Sequence, residues 1–152
     1  MQTFGGRINE SFIMIELNSS EQAEGAFYAA FASCSVQDMG AVWAETEVVC
    51  IHPGAPALVG HTAVMNSWAR ILTAGDSVDI EYELVTRMAT DDIAVHIVRE
   101  ILIQNGGRVE VLATNIYRCL DGNWKMIEHH GSQAMAKTRV TPTSSAAKRT
   151  LQ

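Results

Sequence analysis

The fold is decided by residues 93–130, IAVHIVREILIQNGGRVEVLATNIYRCLDGNWKMIEHH. Two apolar runs, Ile93–Ile103 and Val109–Leu120, flank Asn105-Gly106. That dipeptide adopts the left-handed conformations of a two-residue hairpin turn. Asp121-Gly122 repeats the signal before Trp124–His130. Both long runs are apolar at odd and even positions, which predicts strands covered on both faces.

The first turn sets a register. A two-residue loop at Asn105-Gly106 places His96 opposite Asn115, Val98 opposite Ala113 and Glu100 opposite Val111. Ala94, His96, Val98, Glu100 and Leu102 then share a face with Val111, Ala113, Asn115 and Tyr117, while Arg99 and Glu110 pair diagonally on the other face. If Asp121-Gly122 is also a two-residue loop, Asn115 faces Glu128, Ala113 faces His130 and Tyr117 faces Met126. One row then reads His96, Asn115, Glu128, with Trp124 on the same face. A three-residue loop with a bulge instead turns Glu128 and His130 to the opposite face.

Upstream, Val78, Ile80, Tyr82 and Leu84 alternate with Asp79, Glu81 and Glu83, a strand with one wet face. Ser19, with Gln22 three residues on, caps a helix over about 20–33 whose Ala23, Ala26, Phe27, Ala30 and Phe31 form one face. Val36–Ala44 predicts a short second helix and Thr46–His52 a short strand, which Pro53-Gly54-Ala55-Pro56 ends. His61–Leu72 predicts an amphipathic third helix. The class is α+β, with three N-terminal helices on one face of a curved antiparallel sheet. The other apolar sheet face needs a cover, and a second copy of the chain is the simplest one.

The 152 residues form one domain, over 19–135, with an extension at 1–18 and a tail at 136–152. The net charge of −6 divides into +4 on the tail (Lys137, Arg139, Lys148, Arg149) and −10 on the rest. An acidic body argues against nucleic acid as a partner. No apolar run reaches the roughly 20 residues of a membrane helix. Glu10 and Glu16 interrupt a signal-peptide core, and Cys34, Cys50 and Cys119 form no CxxC pair. The expectation is a cytoplasmic protein with free thiols. His52, His61, His96, His129 and His130 show no zinc spacing, and no nucleotide-binding glycine motif is present, so no metal or cofactor is expected.

A base, an amide and a carboxylate under apolar helices form a small-molecule site, where desolvation raises the carboxyl toward acid–base range. The same row also fits a satisfied polar network that holds register. His52, at a strand end before Pro53, points over a pocket mouth or stabilises its loop. Trp68 and Trp124 serve as core or pocket wall.

In order and spacing the chain resembles the SnoaL-like group of the NTF2-like superfamily over about 19–135. The matching stretches are Ala26-Phe27-Tyr28, Val49-Cys50-Ile51-His52-Pro53-Gly54, Leu58-Val59-Gly60, Ala113-Thr114-Asn115-Ile116-Tyr117-Arg118, Asp121-Gly122-Asn123-Trp124 and His129-His130-Gly131-Ser132. The resemblance implies an NTF2-like (cystatin-like) cone with a deep pocket and a homodimer packed through the open sheet face. It implies His52, Asn115 and His130 as site positions, and a group that includes polyketide cyclases, ketosteroid isomerases, dehydratases and a kinase association domain. The expected function is an apolar pocket for a small organic ligand. Its acid–base chemistry of lyase, isomerase or hydrolase type would rest on Glu128 and His130, with His52, Trp68, His96, Asn115, Tyr117 and Trp124 binding the ligand. The alternative is a non-catalytic ligand-binding or homo-oligomerising association module. No Asp falls on the pocket face, as the isomerase-type members would require.

Overall fold

The computed structural model describes residues 15–75 and 79–134. The extension up to residue 14, Val78 and the basic tail lie outside the described residues. Helix α1 (Ser20–Ala32) starts where Ser19 accepts the Gln22 N–H at 3.1 Å, while the Gln22 side chain accepts the Asn18 N–H at 2.9 Å. These bonds satisfy donors that the first helical turn leaves without partners. Ser35 caps α2 (Val36–Val42) in the same manner. Two short strands, β1 (Val49–Ile51) and β2 (Leu58–Val59), precede α3 (His61–Leu72). The meander β3 (Asp79–Ala89), β4 (Ile93–Gln104), β5 (Gly107–Leu120) and β6 (Asn123–Gln133) completes the chain.

The six strands form one sheet in the order β2-β1-β6-β5-β4-β3. All neighbours are antiparallel except β1 and β6. A parallel pair needs a long crossover, and α3 with β3–β5 supplies one. Both tight turns adopt left-handed backbone, with φ of 50° and 75° at Asn105 and Gly106 and of 52° and 79° at Asp121 and Gly122. Their twist matches that of the flanking strands.

The β4–β5 register is the one the sequence predicts: His96 opposes Asn115, and Glu100 opposes Val111. The β5–β6 hairpin begins as predicted, with Tyr117 opposite Met126, but the register then shifts by one residue. Ile127 is the extra residue of a bulge. Beyond it Asn115 opposes His129, Ile116 opposes Glu128 and Thr114 opposes His130. The expected row His96, Asn115, Glu128 is thereby corrected to His96, Asn115, His129. Side chains alternate along a strand, so one extra residue turns all later ones to the other face. A second shift, at Val85 in β3, bends the opposite edge of the sheet.

The helices cover only the concave face. Phe27 meets Trp68 edge-on, with ring centroids 5.3 Å apart, and Phe31 packs on the same indole at 5.3 Å. Ala23, Ala30, Met39, Val42 and Val64 fill the remaining space. Among the described residues no helix is long and apolar enough to cross a membrane.

Candidate functional site

Two turns of α1 lay a second stripe against the sheet. Ser20, Glu24 and Tyr28 recur at four-residue spacing, share one helix face, and are all buried. Across from them, β4 contributes His96 and Glu100, β5 contributes Asn115 and Tyr117, and β6 contributes His129, each at most 4% exposed.

These eight side chains form two connected groups. In the first, His96 bridges Glu24 (Nδ1···Oε2 2.7 Å) and Ser20 (Nε2···Oγ 3.0 Å), and the Tyr117 hydroxyl donates to Glu24 at 3.4 Å. In the second, the Tyr28 hydroxyl donates to Glu100 at 2.7 Å and accepts the Asn115 Nδ2–H at 3.0 Å. The Asn115 oxygen is then left as an acceptor, so His129 carries its proton on Nδ1 and donates it at 2.6 Å. Every donor in this chain points toward Glu100. Such bonds polarise one another in the same sense. The Asn115 amide lies beside both phenols and joins the two groups.

Burial dominates the electrostatics. Desolvation raises the Glu100 carboxyl to about 7, against the Tyr28 hydrogen bond, which favours the charged form, and with Glu24 adding repulsion. Desolvation pushes His129 down to about 3, helped by His52 and His130, so it is a neutral imidazole near neutral pH. Both phenols are pushed upward, chiefly by burial. They act as hydrogen-bond donors, not phenolates.

His52 stands beside this cluster. Its Nε2 lies 2.8 Å from Ser67 Oγ, and its ring meets Trp68 edge-on at 5.1 Å. Burial lowers its proton affinity, with a smaller contribution from Arg70. Trp68 also packs on His129, with ring centroids 5.8 Å apart, so His52, Trp68 and His129 form one aromatic wall. The Cys50 thiol touches His52 at 3.8 Å, but burial pushes it up to about 12, a poor nucleophile.

The concave face continues past the end of α1 into a cavity of about 340 Å³. Its walls are Pro53, Leu102, Val109 and Val111, with Gln104 and Gln133 supplying amides. Glu100 is the next inward residue on this face: it opposes Val111 and precedes Leu102 by two positions. Gly131 holds Pro53 over the sheet, because a Cβ there would lie 3.1 Å from the proline ring and 3.2 Å from Val111. This opening lies on the concave face beyond Glu100. A second cavity, of about 400 Å³, lies at the other end between Ala41, Trp43, Thr46 and Lys125.

Of the residues expected from sequence, His96, Asn115 and Tyr117 meet in the cluster, and His52 and Trp68 adjoin it. Trp124 packs against the hydrophobic core near Leu17 instead. Glu128 and His130 lie on the convex face, paired with Ile116 and Thr114, and cannot act with Asn115. Sequence reasoning missed Ser20, Glu24, Tyr28 and His129 as site residues, and it placed Glu100 on the face without a role. The signal was present in the four-residue spacing of Ser20, Glu24 and Tyr28, whereas apolar periodicity selects the neighbouring stripe. Among the described residues no three His, Cys, Asp or Glu side chains come together as a metal site.

Residues 21–136 match the SnoaL-like domain. The chain belongs to the SnoaL-like family. Its architecture is the NTF2-like cone. A Thiobacillus denitrificans protein named as a calcium/calmodulin-dependent protein kinase type II association domain is 37% identical, with a TM-score of 0.75, over 80% of this chain and 99% of that one. A Streptomyces avermitilis protein named as an NTF2-like dehydratase is 29% identical, with a TM-score of 0.67, over 76% of this chain and 94% of that one. The Arabidopsis thaliana F-box protein SKIP8 is 26% identical over 107 residues, 70% of this chain. This chain spans only 46% of that protein's length. This SnoaL-like domain therefore has similar sequences under both an enzyme's name and an association domain's.

Proposed function

We propose that this SnoaL-like domain is a homodimer of ligand-binding cones, in which Glu100 exchanges a proton with a small organic molecule admitted through the Pro53–Val111 mouth. The observation that carries the reading is Glu100 itself. It is a buried carboxyl raised to about 7 by desolvation, is hydrogen-bonded by Tyr28 and lies one inward position behind Leu102 and opposite Val111, two residues of the cavity wall. A group that ionises near the working pH is the efficient acid–base catalyst. The acid–base part that the sequence assigns to Glu128 and His130 passes to Glu100, because the bulge at Ile127 removes the other two from the cone. Tyr28, Asn115 and His129 hold the carboxyl in place, and the wall of His52 and Trp68 keeps the interior dry. The chemistry is proton transfer of the lyase or isomerase kind.

The dimer is supported by the convex face. Ile93, Val95, Ile97, Ile101 and Ile103 of β4 and Leu112 and Ile116 of β5 line it, and among the described residues no helix lies above them. Its three free cysteines suit a cytoplasmic setting.

A panel of small cyclic ketones in D₂O tests the enzyme reading. Wild-type protein exchanges the protons next to the carbonyl of at least one member, followed by NMR, and Glu100→Gln abolishes that exchange while remaining folded. A second reading, a non-catalytic association module, is favoured by the closed, internally satisfied polar cluster and by the 37% identity to a protein of that name. It expects no exchange from either protein and an unchanged dimer.

A further inference from the structure

We infer that the mouth of the cone selects a protonated amine with a compact apolar body over neutral and anionic analogues, with Glu100 as its counter-ion. The inference rests on the mouth being the ligand entrance. Its own support is the charge inventory of the interior.

The concave face holds two carboxyls. Glu24 has two hydrogen-bond partners, His96 at 2.7 Å and the Tyr117 hydroxyl at 3.4 Å. Glu100 has the neutral Tyr28 hydroxyl as partner and Glu24 as a repelling neighbour. The groups facing it from the other elements bring no cation: Cys50 from β1, Tyr82 from β3, Val111 and Tyr117 from β5 and, through Asn115, the neutral imidazole of His129. Among the described residues the cations are engaged or placed elsewhere: Arg87 pairs with Glu21, Arg99 with Glu83 and Glu110, and Arg118 with Glu47, while Lys125 donates to the Ala41 carbonyl. Arg70 acts on His52, and Arg108, between the cavity-lining Gly107 and Val109, opposes Ile103 on the convex face.

A charge removed from water without a counter-ion is costly, and an opposite charge arriving with the ligand relieves that cost. An ammonium entering between Leu102 and Val111 approaches the buried Glu100 carboxyl one inward position deeper, which has no cationic partner among the described residues. A carboxylate entering the same way meets two acids. The walls of Pro53, Leu102, Val109 and Val111 fit an apolar body, and a cavity of about 340 Å³ suits a small one. The Gln104 and Gln133 amides flank the opening and discriminate little by charge.

Benzylamine, benzyl alcohol and benzoate share one apolar body and differ in charge. Each is titrated into the full-length protein at pH 8, where the Glu100 carboxyl is ionised and an alkylamine keeps its proton. Binding is read from the methyl resonances of Leu102, Val109 and Val111. Benzylamine is expected to bind at least tenfold more tightly than the alcohol and benzoate more weakly than both. Glu100→Gln is expected to reduce the amine preference below twofold. In the wild type the amine must also shift the Glu100 carboxyl carbon resonance, a readout that stands if the variant fails to fold. Equal binding of alcohol and amine, or a preference kept in Glu100→Gln, overturns the amine inference and leaves the ligand mouth intact. If no probe moves those methyl resonances, the mouth itself is not the ligand site and both readings fall.

Discussion

Strands β4 and β5 carry two faces of opposite character. The concave face bears His96, Glu100, Asn115 and Tyr117, all buried and all hydrogen-bonded to side chains of α1 or β6. The convex face bears Ile93, Val95, Ile97, Ile101, Ile103 and Ile116, and Leu112 is 44% exposed there. An ordinary half-wet sheet puts apolar residues inside and polar ones outside. Here the polar groups are placed where water is excluded and the apolar ones where none of the described helices covers them. The inner face is suited to holding protons in position and the outer face to meeting another surface.

The largest effect is expected from breaking the outer face. Ile97→Glu, at its centre, puts a charge into the proposed interface and weakens dimerisation by about 3 kcal/mol or more, roughly a hundredfold. Light scattering after gel filtration should read twice 16.6 kDa for wild type and 16.6 kDa for the variant. A wild-type monomer at micromolar concentration breaks the contrast between the faces.

On the inner face, Asn115→Leu leaves Tyr28 and His129 without the partner that joins them. Buried groups left unsatisfied cost about 1–3 kcal/mol each. Calorimetry should show a drop in Tm of about 5–15 °C. A loss below 2 °C would mean that the cluster contributes little to holding α1 on the sheet.

The same face predicts a concealed pH dependence. Glu100 ionises at about 7 in the fold and at 4.5 when unfolded, so between those values only the native state keeps its proton. Its contribution is present below pH 4.5 and is lost as pH rises to 7, by about 3 kcal/mol. His129 has the opposite sign: it ionises at 6.5 unfolded and at about 3 in the fold. Its contribution is present above pH 6.5 and is lost on acidification. Between pH 4.5 and 6.5 the two slopes oppose. Glu100→Gln should expose the His129 slope, with urea midpoints falling as pH is lowered. His129→Gln should expose the Glu100 slope, with midpoints rising. Parallel pH profiles for the two variants would refute the opposition.

The smallest effect is expected from the ion pairs of Arg99, the charged position between Ile97 and Ile101 on the convex face. Arg99 pairs with Glu83 and lies 3.9 Å from Glu110, all three substantially exposed. Arg99→Ala should change stability by less than about 1 kcal/mol, and 0.5 M salt should erase the difference in denaturation midpoint. A larger, salt-resistant loss would show that these pairs are buried in the dimer.

Legibility followed the range of the interaction. The α1 cap at Ser19, the left-handed turn at Asn105-Gly106 and the pairing of His96 with Asn115 depend on neighbours in sequence or on one tight turn, and all were readable. Alternation alone gave the wet face of Asp79, Glu81 and Glu83, but on the other face Tyr82 and Leu84 are exposed as well, because β3 is an edge strand. Ser20, Glu24 and Tyr28 were legible as a spacing but not as a site. A polar stripe on a helix faces water unless the fold sets acceptors and donors against it.

From sequence alone came the order of the three helices, β1 and the four-stranded meander, though not β2, together with the α+β class, the doubly apolar central strands and one complete hairpin register. Each follows from periodicity or from turn residues with few allowed backbone conformations. Only the tertiary structure decided which histidine of the pair enters the cone. One extra residue at Ile127 costs little locally yet reverses every later side chain, placing His129 within 2.6 Å of Asn115 and leaving His130 on the convex face. Only the tertiary structure, again, turned Glu100 from one residue in an alternating strand into the buried acid of the cone. Its ionisation is set by the desolvation that α1 imposes, and no pattern along β4 records that contact.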